Sequence, residues 1–178
     1  MRKSTGLFLL LLLAVVPATA AKVVVDFAAG FDFETCKTVA WGEGTPAPNE
    51  LNERRIRVAL TEQMESLGFG FVEAGQPADL ILFTHAFREQ QTKTSNVHVG
   101  VGLSRRTKRG AVSVGGSTSG RAKVVEKGTL VIELLDGNTG DLVWQARASD
   151  TIEGSAEKME SKIRKGVQKA FREFPPKG

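Results

Sequence analysis

Cysteine is nearly absent from this sequence, since Cys36 is the only one among 178 residues. A single cysteine cannot form an internal disulfide, so no disulfide framework holds the fold. Neither a histidine nor a cluster of basic residues lies near Cys36 in the sequence to lower the pKa of its thiol. We therefore interpret Cys36 as a small residue of a strand and not as a nucleophile.

Histidine is also scarce, with only His85 and His98. The sequence has neither the ligand spacing of a zinc site nor a His-x-x-x-His pair, and two histidines on adjacent strands would still supply too few ligands. The stretch "DGNTGD", residues 136–141, is similar to the start of a calcium-binding loop, but Arg147 stands at its twelfth position, where an acidic residue is needed. We therefore expect no metal site, and we interpret residues 136–141 as a hairpin turn.

Catalytic motifs are missing as well. No Gly-x-Ser-x-Gly nucleophile motif occurs, and the basic, glycine-containing stretch 100–110 lacks the spacing of a phosphate-binding P-loop. We therefore expect no cofactor and no enzymatic activity. The alternative is an unrecognised hydrolase of the cell envelope, in which His85, beside the apolar residues 80–83, would be the general base.

Long hydrophobic segments are absent too. The longest apolar run, residues 7–16, falls short of the roughly 20 residues that span a bilayer. Two basic residues precede it and Ala18-Thr19-Ala20 follows it, an order typical of a cleaved secretory signal peptide. We predict a signal peptide over residues 1–20, an exported periplasmic or extracellular protein, and no transmembrane helix in the mature chain. No lipid anchor is expected, because Ala21 stands where a lipoprotein needs a cysteine.

Positive charge is present but unevenly distributed. Of the 24 basic residues, 22 remain when Arg2 and Lys3 are removed with the signal peptide, against 20 acidic residues. Eight basic residues and one acidic residue lie between Arg88 and Lys123, which leaves 14 basic and 19 acidic residues in the rest of the mature chain. The positive charge is therefore local.

Apolar periodicity predicts a single α+β domain over residues 21–178. Strands are predicted at 22–27, 36–41, around 80–83, and in a hairpin formed by 123–136 and 141–150. Amphipathic helices are predicted over 49–67, capped by Asn49, and from Ser155 to the prolines at 175 and 176. We expect a mostly antiparallel sheet with both helices packed on one face.

Some residues in these elements carry expectations of their own. The continuous apolar run 80–83 is typical of a central strand covered on both faces. Gly166, inside the second helix, predicts a close backbone contact. Trp41 and Trp144 are interpreted as core or half-buried aromatics, with a shared aromatic patch for a partner as the alternative.

Residues 97–116, "VHVGVGLSRRTKRGAVSVGG", form the most unusual stretch. Valines alternate with glycines and polar residues on both sides of Arg105, Arg106, Lys108 and Arg109. This pattern predicts a long glycine-rich hairpin with a basic tip. Because glycine weakens strands, a flexible insertion remains the alternative.

Three phrases, in this order, resemble the bacterial envelope family called domain of unknown function 4136. They are "VVVDFAAGFDFETCKTVAW" with Thr38 and Trp41, "SLGF" followed by "PADLIL" with Asp79, and "GTLVIELLDGNTGDLVWQARAS" with Asp136 and Trp144. The resemblance implies the family's fold and an envelope location, but no activity, because none is assigned to the family. Many members are lipoproteins, and this sequence departs from them in lacking the lipid-bearing cysteine.

Together these observations predict an exported, non-enzymatic binding module whose basic tip contacts an anionic partner. The candidate contact residues are Arg105, Arg106, Lys108, Arg109, Arg121 and Lys123. Lipid headgroups, lipopolysaccharide or an acidic face of an envelope protein would supply the negative charge. Nucleic acid is not expected, because exported proteins seldom meet it and no aromatic residues are interleaved for base stacking.

Overall fold

The computed structural model describes residues 21–73, 75–93 and 123–176. Within them, six strands and two helices follow one another as β1 (Lys22–Phe27), β2 (Thr38–Trp41), α1 (Glu50–Ser66), β3 (Gly70–Phe71), β4 (Leu80–Lys93), β5 (Lys123–Asp136), β6 (Leu142–Thr151) and α2 (Ala156–Ala170). The predicted glycine-rich hairpin, residues 97–116, lies outside the described residues.

The six described strands form one sheet in the order β1-β6-β5-β4-β2-β3. The pairs β1–β6, β6–β5 and β5–β4 are antiparallel, whereas β2 runs parallel to both β4 and β3. The parallel pairs exist because α1 carries the chain from the end of β2 back to the start of β3, the kind of crossover that parallel neighbours require. The fold is α+β with a mostly antiparallel sheet, as predicted.

Both predicted helices begin at the expected caps. The Asn49 side chain accepts a hydrogen bond from the backbone N–H of Asn52, and that of Ser155 accepts one from Lys158. The two helices contact each other and contribute to one hydrophobic core with the sheet. Their buried residues are Ile56, Ala59, Leu60 and Met64 in α1, and Gly166, Val167 and Ala170 in α2. Both apolar stripes therefore pack on the same face of the sheet.

Aromatic side chains concentrate at one end of this core. Trp144 on β6 is 1% exposed, and its ring lies 4.6 Å from that of Phe171 and 5.5 Å from that of Phe174. Trp41 on β2 is half-buried, stacks on Phe71 at 5.7 Å and lies under the Arg57 guanidinium. Trp144 is thus a core residue, and Trp41 packs at the core's margin.

Two local expectations need correction. The strand predicted at 36–41 begins only at Thr38, because a 3₁₀ turn over Phe33–Thr35, capped by the Asp32 side chain, precedes it and ends at Cys36. The strand that contains residues 80–83 is central, but only one face is covered. Leu80 and Leu82 are fully buried on the helix side, whereas the alternate residues, Ile81 among them, keep part of their surface exposed.

Candidate functional site

The strands β4 and β5 form a ribbon that extends past the rest of the sheet. They pair antiparallel without interruption from Leu80–Asp136 to Lys93–Lys123. The neighbour β6 stops pairing with β5 at Lys127, and Ile152 adds one backbone hydrogen bond at Glu126. The last pairs of the ribbon are therefore two-stranded, and residues 94–122 connect its two strands.

The structure places one of the six predicted contact residues. Lys123 is the first residue of β5 and pairs with Lys93 at the end of the ribbon. Arg105, Arg106, Lys108, Arg109 and Arg121 lie outside the described residues. Nearer the core, the Arg88 guanidinium of the ribbon donates to the Glu126 carboxylate across the strands, from Nε at 3.1 Å. The basic charge of Arg88 is thus already paired.

A cavity of about 310 Å³ lies between the helix pair and the sheet at the end from which the ribbon extends. Its sheet side is lined by four small or apolar residues in adjacent strands, Ala86, Gly128, Leu130 and Ala148. Its helix side is lined by Ile56, Met159, Ile163 and Gly166. The cavity is partly open to solvent, and its walls are predominantly apolar.

Polar side chains lie around the edge of this cavity, and the charged ones described there are paired. Asn49 and Asn52 come from the start of α1, Arg88 and Asp150 from the sheet, and Lys162 from α2. Lys162 Nζ donates to the Thr151 carbonyl at 2.6 Å and lies 3.7 Å from Asp150 Oδ1. An apolar interior with a few polar groups at its edge is the usual composition of a small-molecule site.

Gly166 does not mark the close backbone contact that the sequence predicted. A Cβ added to this residue would lie 3.8 Å from the Ala148 Cβ, which is an ordinary van der Waals distance, and no other neighbour comes within 4 Å. Gly166 instead widens the cavity. Sequence reasoning missed the site because its small residues belong to four different elements, and only the pairing of the strands brings them together.

His85 lies on the face of the sheet opposite the helices. Its Nδ1 is 3.1 Å from Thr45 Oγ1, and its Nε2 is 3.4 Å from Glu133 Oε2. The Gln145 amide donates to the other oxygen of Glu133 at 2.7 Å. His85 lines neither the cavity nor a wider groove between β1 and residues 169–176.

Other candidate chemistry is not assembled among residues 21–73, 75–93 and 123–176. No group of three His, Cys, Asp or Glu side chains there could hold a metal ion. Cys36 is buried, and burial, with a smaller contribution from the Asp79 charge, raises the pKa of its thiol, so the unreactive protonated form predominates. No helix in those ranges is long and apolar enough to cross a membrane.

The comparisons with known proteins decide the family. Residues 23–176 match the family described as domain of unknown function 4136, DUF4136. The chain belongs to the DUF4136 family. The predicted resemblance is thus confirmed over nearly all of the described residues. None of the curated proteins matches the sequence significantly.

Solved structures share the DUF4136 fold at low sequence identity. A PDZ domain protein from Parabacteroides distasonis matches with a TM-score of 0.55 and 16% identity over 89% of this chain, which spans only 37% of that protein. A DUF4136 family protein from Bacteroides thetaiotaomicron gives 0.52 and 14%, covering 89% and 97% of the two chains. The PelC dodecamer from Paraburkholderia phytofirmans gives 0.50 and 13%, covering 85% and 94%. At these identities the likeness concerns the fold alone.

The phrases that resemble DUF4136 occupy structural positions. The Asp79 Oδ2 atom accepts hydrogen bonds from the backbone N–H groups of Lys37 and Thr38 and from Thr38 Oγ1, at 2.7 to 2.9 Å. These hydrogen bonds, led by that of Lys37, hold the pKa of Asp79 below its usual value. They fix the start of β2 beside β4. The Asp136 carboxylate similarly accepts from the Asn138 N–H at 2.9 Å in the β5–β6 turn, as the hairpin-turn interpretation requires.

Proposed function

We propose that this DUF4136 protein is an exported module of the bacterial cell envelope that binds an anionic surface and catalyses no reaction. The observation that carries the proposal is the β4–β5 ribbon, which extends beyond β6 and leads directly into residues 94–122. The interval from Arg88 to Lys123 has eight basic residues and one acidic residue. A concentrated positive charge attracts anionic surfaces over about a Debye length.

Export is supported by the order of charge, apolar run and small residues in 1–20. The residue after this segment is already held against the domain, since Lys169 Nζ on α2 donates to the Ala21 carbonyl at 2.6 Å and β1 starts at Lys22. Cleavage after residue 20 would therefore leave every described element intact. We propose a periplasmic or extracellular location without a lipid anchor.

The partner that the charge favours is a membrane surface with anionic headgroups, including lipopolysaccharide. Lysine and arginine near such a surface contribute about 1 kcal/mol each. The basic cluster Arg105, Arg106, Lys108 and Arg109 contains no acidic residue, so several of these contributions would add. An acidic protein face is the other partner that this charge would suit.

The test compares vesicle binding by two variants of equal charge. One changes Arg105, Arg106, Lys108 and Arg109 to serine, and the matched control changes the exposed Arg54, Lys158, Lys165 and Arg172 to serine. We expect the protein to co-sediment with phosphatidylglycerol-containing vesicles at low salt, and much less at high salt or with phosphatidylcholine alone. The first variant should lose this binding and the control should keep most of it.

Two results would contradict the proposed surface. If both variants lose vesicle binding equally, only the net charge of the protein matters. If both retain it equally, the basic cluster does not contribute to binding. If the unaltered protein does not bind vesicles, the two variants are compared instead in a pull-down from envelope extract. A partner retained by the control and lost with the basic cluster would then assign the site to an acidic protein.

A hydrolase that uses His85 is the second candidate, because Thr45, His85 and Glu133 lie in a row resembling a hydroxyl, a base and an orienting carboxylate. Against it, Thr45 also donates its backbone N–H to His85 Nδ1 at 3.2 Å, and the three residues line neither the cavity nor the groove described above. These contacts are sufficient to hold residue 45 beside β4. Ester hydrolysis that disappears in both His85→Asn and Thr45→Ala would favour the enzyme; we expect none above background.

A further inference from the structure

We propose that the cavity between the helix pair and the sheet binds the hydrocarbon chain of a small amphiphile. This inference is independent of the proposed function, because it uses none of the residues in 94–122. It concerns the 310 Å³ space whose walls are supplied by α1, α2, β4, β5 and β6.

The cavity exists because the side chains on the helix side of the sheet become smaller along the strands. One cross-strand row on the helix side contains Leu82, Leu134 and Trp144, all at most 1% exposed. Two rows further along the strands, the corresponding residues are Ala86, Leu130 and Ala148. The helices continue over both rows, so the smaller side chains leave space that protein atoms would otherwise fill.

The chemistry of the walls selects an apolar ligand. Ile56, Met159 and Ile163 face the alanines and Leu130 across the cavity. Apolar walls offer no hydrogen bonds to hold water, and apolar cavities of about 150 Å³ stay dry and take up benzene. A volume of 310 Å³ is at the lower limit of the roughly 300 to 1,000 Å³ of small-molecule sites, which suits a short single chain better than a two-chain lipid.

The rim explains why the ligand should be amphiphilic. Its two cationic side chains each have a neighbouring carboxylate, Glu126 for Arg88 and Asp150 for Lys162. The Asn52 side-chain oxygen accepts from Arg55 at 2.7 Å, and Asn49 caps α1. A polar headgroup would remain hydrated at this edge while the chain enters, so the chain should contribute most of the affinity.

The experiment is a calorimetric titration of the purified protein that begins at Ala21, as the proposed cleavage would leave it. The probes are decanoate and decyl maltoside, both below their critical micelle concentrations, which share a chain and differ in headgroup. We expect saturable binding of both at one site, with affinities within about tenfold of each other. The heat-capacity change should be negative, as burial of apolar surface requires.

Two variants fill the cavity from opposite sides, Gly166→Leu on the helix and Ala86→Leu on the strand. The matched control is Ser161→Leu, which adds the same side chain at an exposed position of α2. Filling the space should lower the binding affinity for both probes by roughly tenfold or more, equivalent to about 1.4 kcal/mol. The control should bind both probes like the unaltered protein. Thermal unfolding of each variant identifies any that does not fold, and the other then carries the test.

Three results would overturn the proposal. The first is no saturable binding of either probe, and the second is unchanged affinity in folded Gly166→Leu and Ala86→Leu proteins. The third concerns residues 94–122 of the protein. Lys93 and Lys123 are cross-strand partners, so an Asn-Gly turn can join them in place of residues 94–122. Binding that saturates only in this shortened protein would assign the cavity to the removed segment.

Discussion

The two ends of the helix–sheet interface are built differently from the same elements. At one end, Trp144 packs against Phe171 and Phe174, and Leu82 and Leu134, in the same cross-strand row, are fully buried. At the other end, Ala148 on the same strand β6 lies opposite Gly166 on the same helix α2 that leads to Phe171. The first end is therefore densely packed, whereas the second retains space.

Truncating a side chain should destabilise the protein more at the packed end than at the open end. Trp144→Ala should lower the free energy of unfolding by about 3 to 5 kcal/mol, because a large ring is lost and the rigid aromatic surroundings cannot close the hole. At the other end, Ile163→Ala should cost only about 1 to 2 kcal/mol, since this side chain already borders an empty space. Urea unfolding of the two variants measures both values. Equal costs would contradict the comparison.

The second prediction concerns glycine at the packed end. A Cβ on Gly137 would lie 1.8 Å from the carbonyl oxygen of Ala78, which directly precedes Asp79, the residue whose carboxylate is bonded to the start of β2. Gly137→Ala should therefore cost about 3 kcal/mol, because backbone rather than a flexible side chain must move. The control is Gly70→Ala, where the nearest atom is 4.0 Å from the added Cβ. Thermal unfolding should show a large loss for the first and a small change for the second.

The third prediction uses pH at the same end. The pKa of Asp79 is lowered in the folded state, so its contribution to stability is complete above the unfolded pKa, about 4, and is lost as pH falls through the lower folded pKa. Asp79→Asn should cost about 1 to 2 kcal/mol at pH 7, discounted for partial exposure, and should unfold with a weaker pH dependence below pH 4. An unchanged acid-unfolding profile in this variant would mean that the Asp79 carboxylate does not contribute to the pH dependence of stability. Asp141→Asn, an exposed carboxylate in the β5–β6 turn, is the control.

The elements that could be predicted from the sequence are those that depend on local contacts. The helix caps Asn49 and Ser155 and the turn at Asp136 are local signals, which depend on side chains bonding to backbone within three residues. The parallel placement of β2 depends on where α1 returns the chain, and the start of β2 depends on Asp79, some forty residues away. Neither could be inferred from local patterns.

The cavity was the least predictable feature, for the same physical reason. Ala86, Gly128, Ala148 and Gly166 are unremarkable residues in their own segments, and their shared absence of bulk emerges only from the cross-strand register. Only Gly166 is conspicuous in the sequence, as a glycine inside an amphipathic helix, but a glycine there predicts a close contact as readily as a space. Functional sites of this kind depend on long-range pairing, whereas helices and turns depend on neighbours in the chain.

A single methyl group added at the open end should change stability only slightly. Gly166→Ala should raise the free energy of unfolding by up to about 1 kcal/mol, because alanine is the better helix former and its Cβ meets Ala148 at an unstrained 3.8 Å. A gain in stability would mean that glycine is retained there at a cost, as a space for a ligand would require. A loss would mean instead that α2 already lies as close to β6 as its packing allows, and that this end of the interface is closed to added volume. Thermal unfolding with and without decanoate separates the two, since only an open cavity gives the unaltered protein a ligand-dependent rise in Tm that the alanine variant reduces.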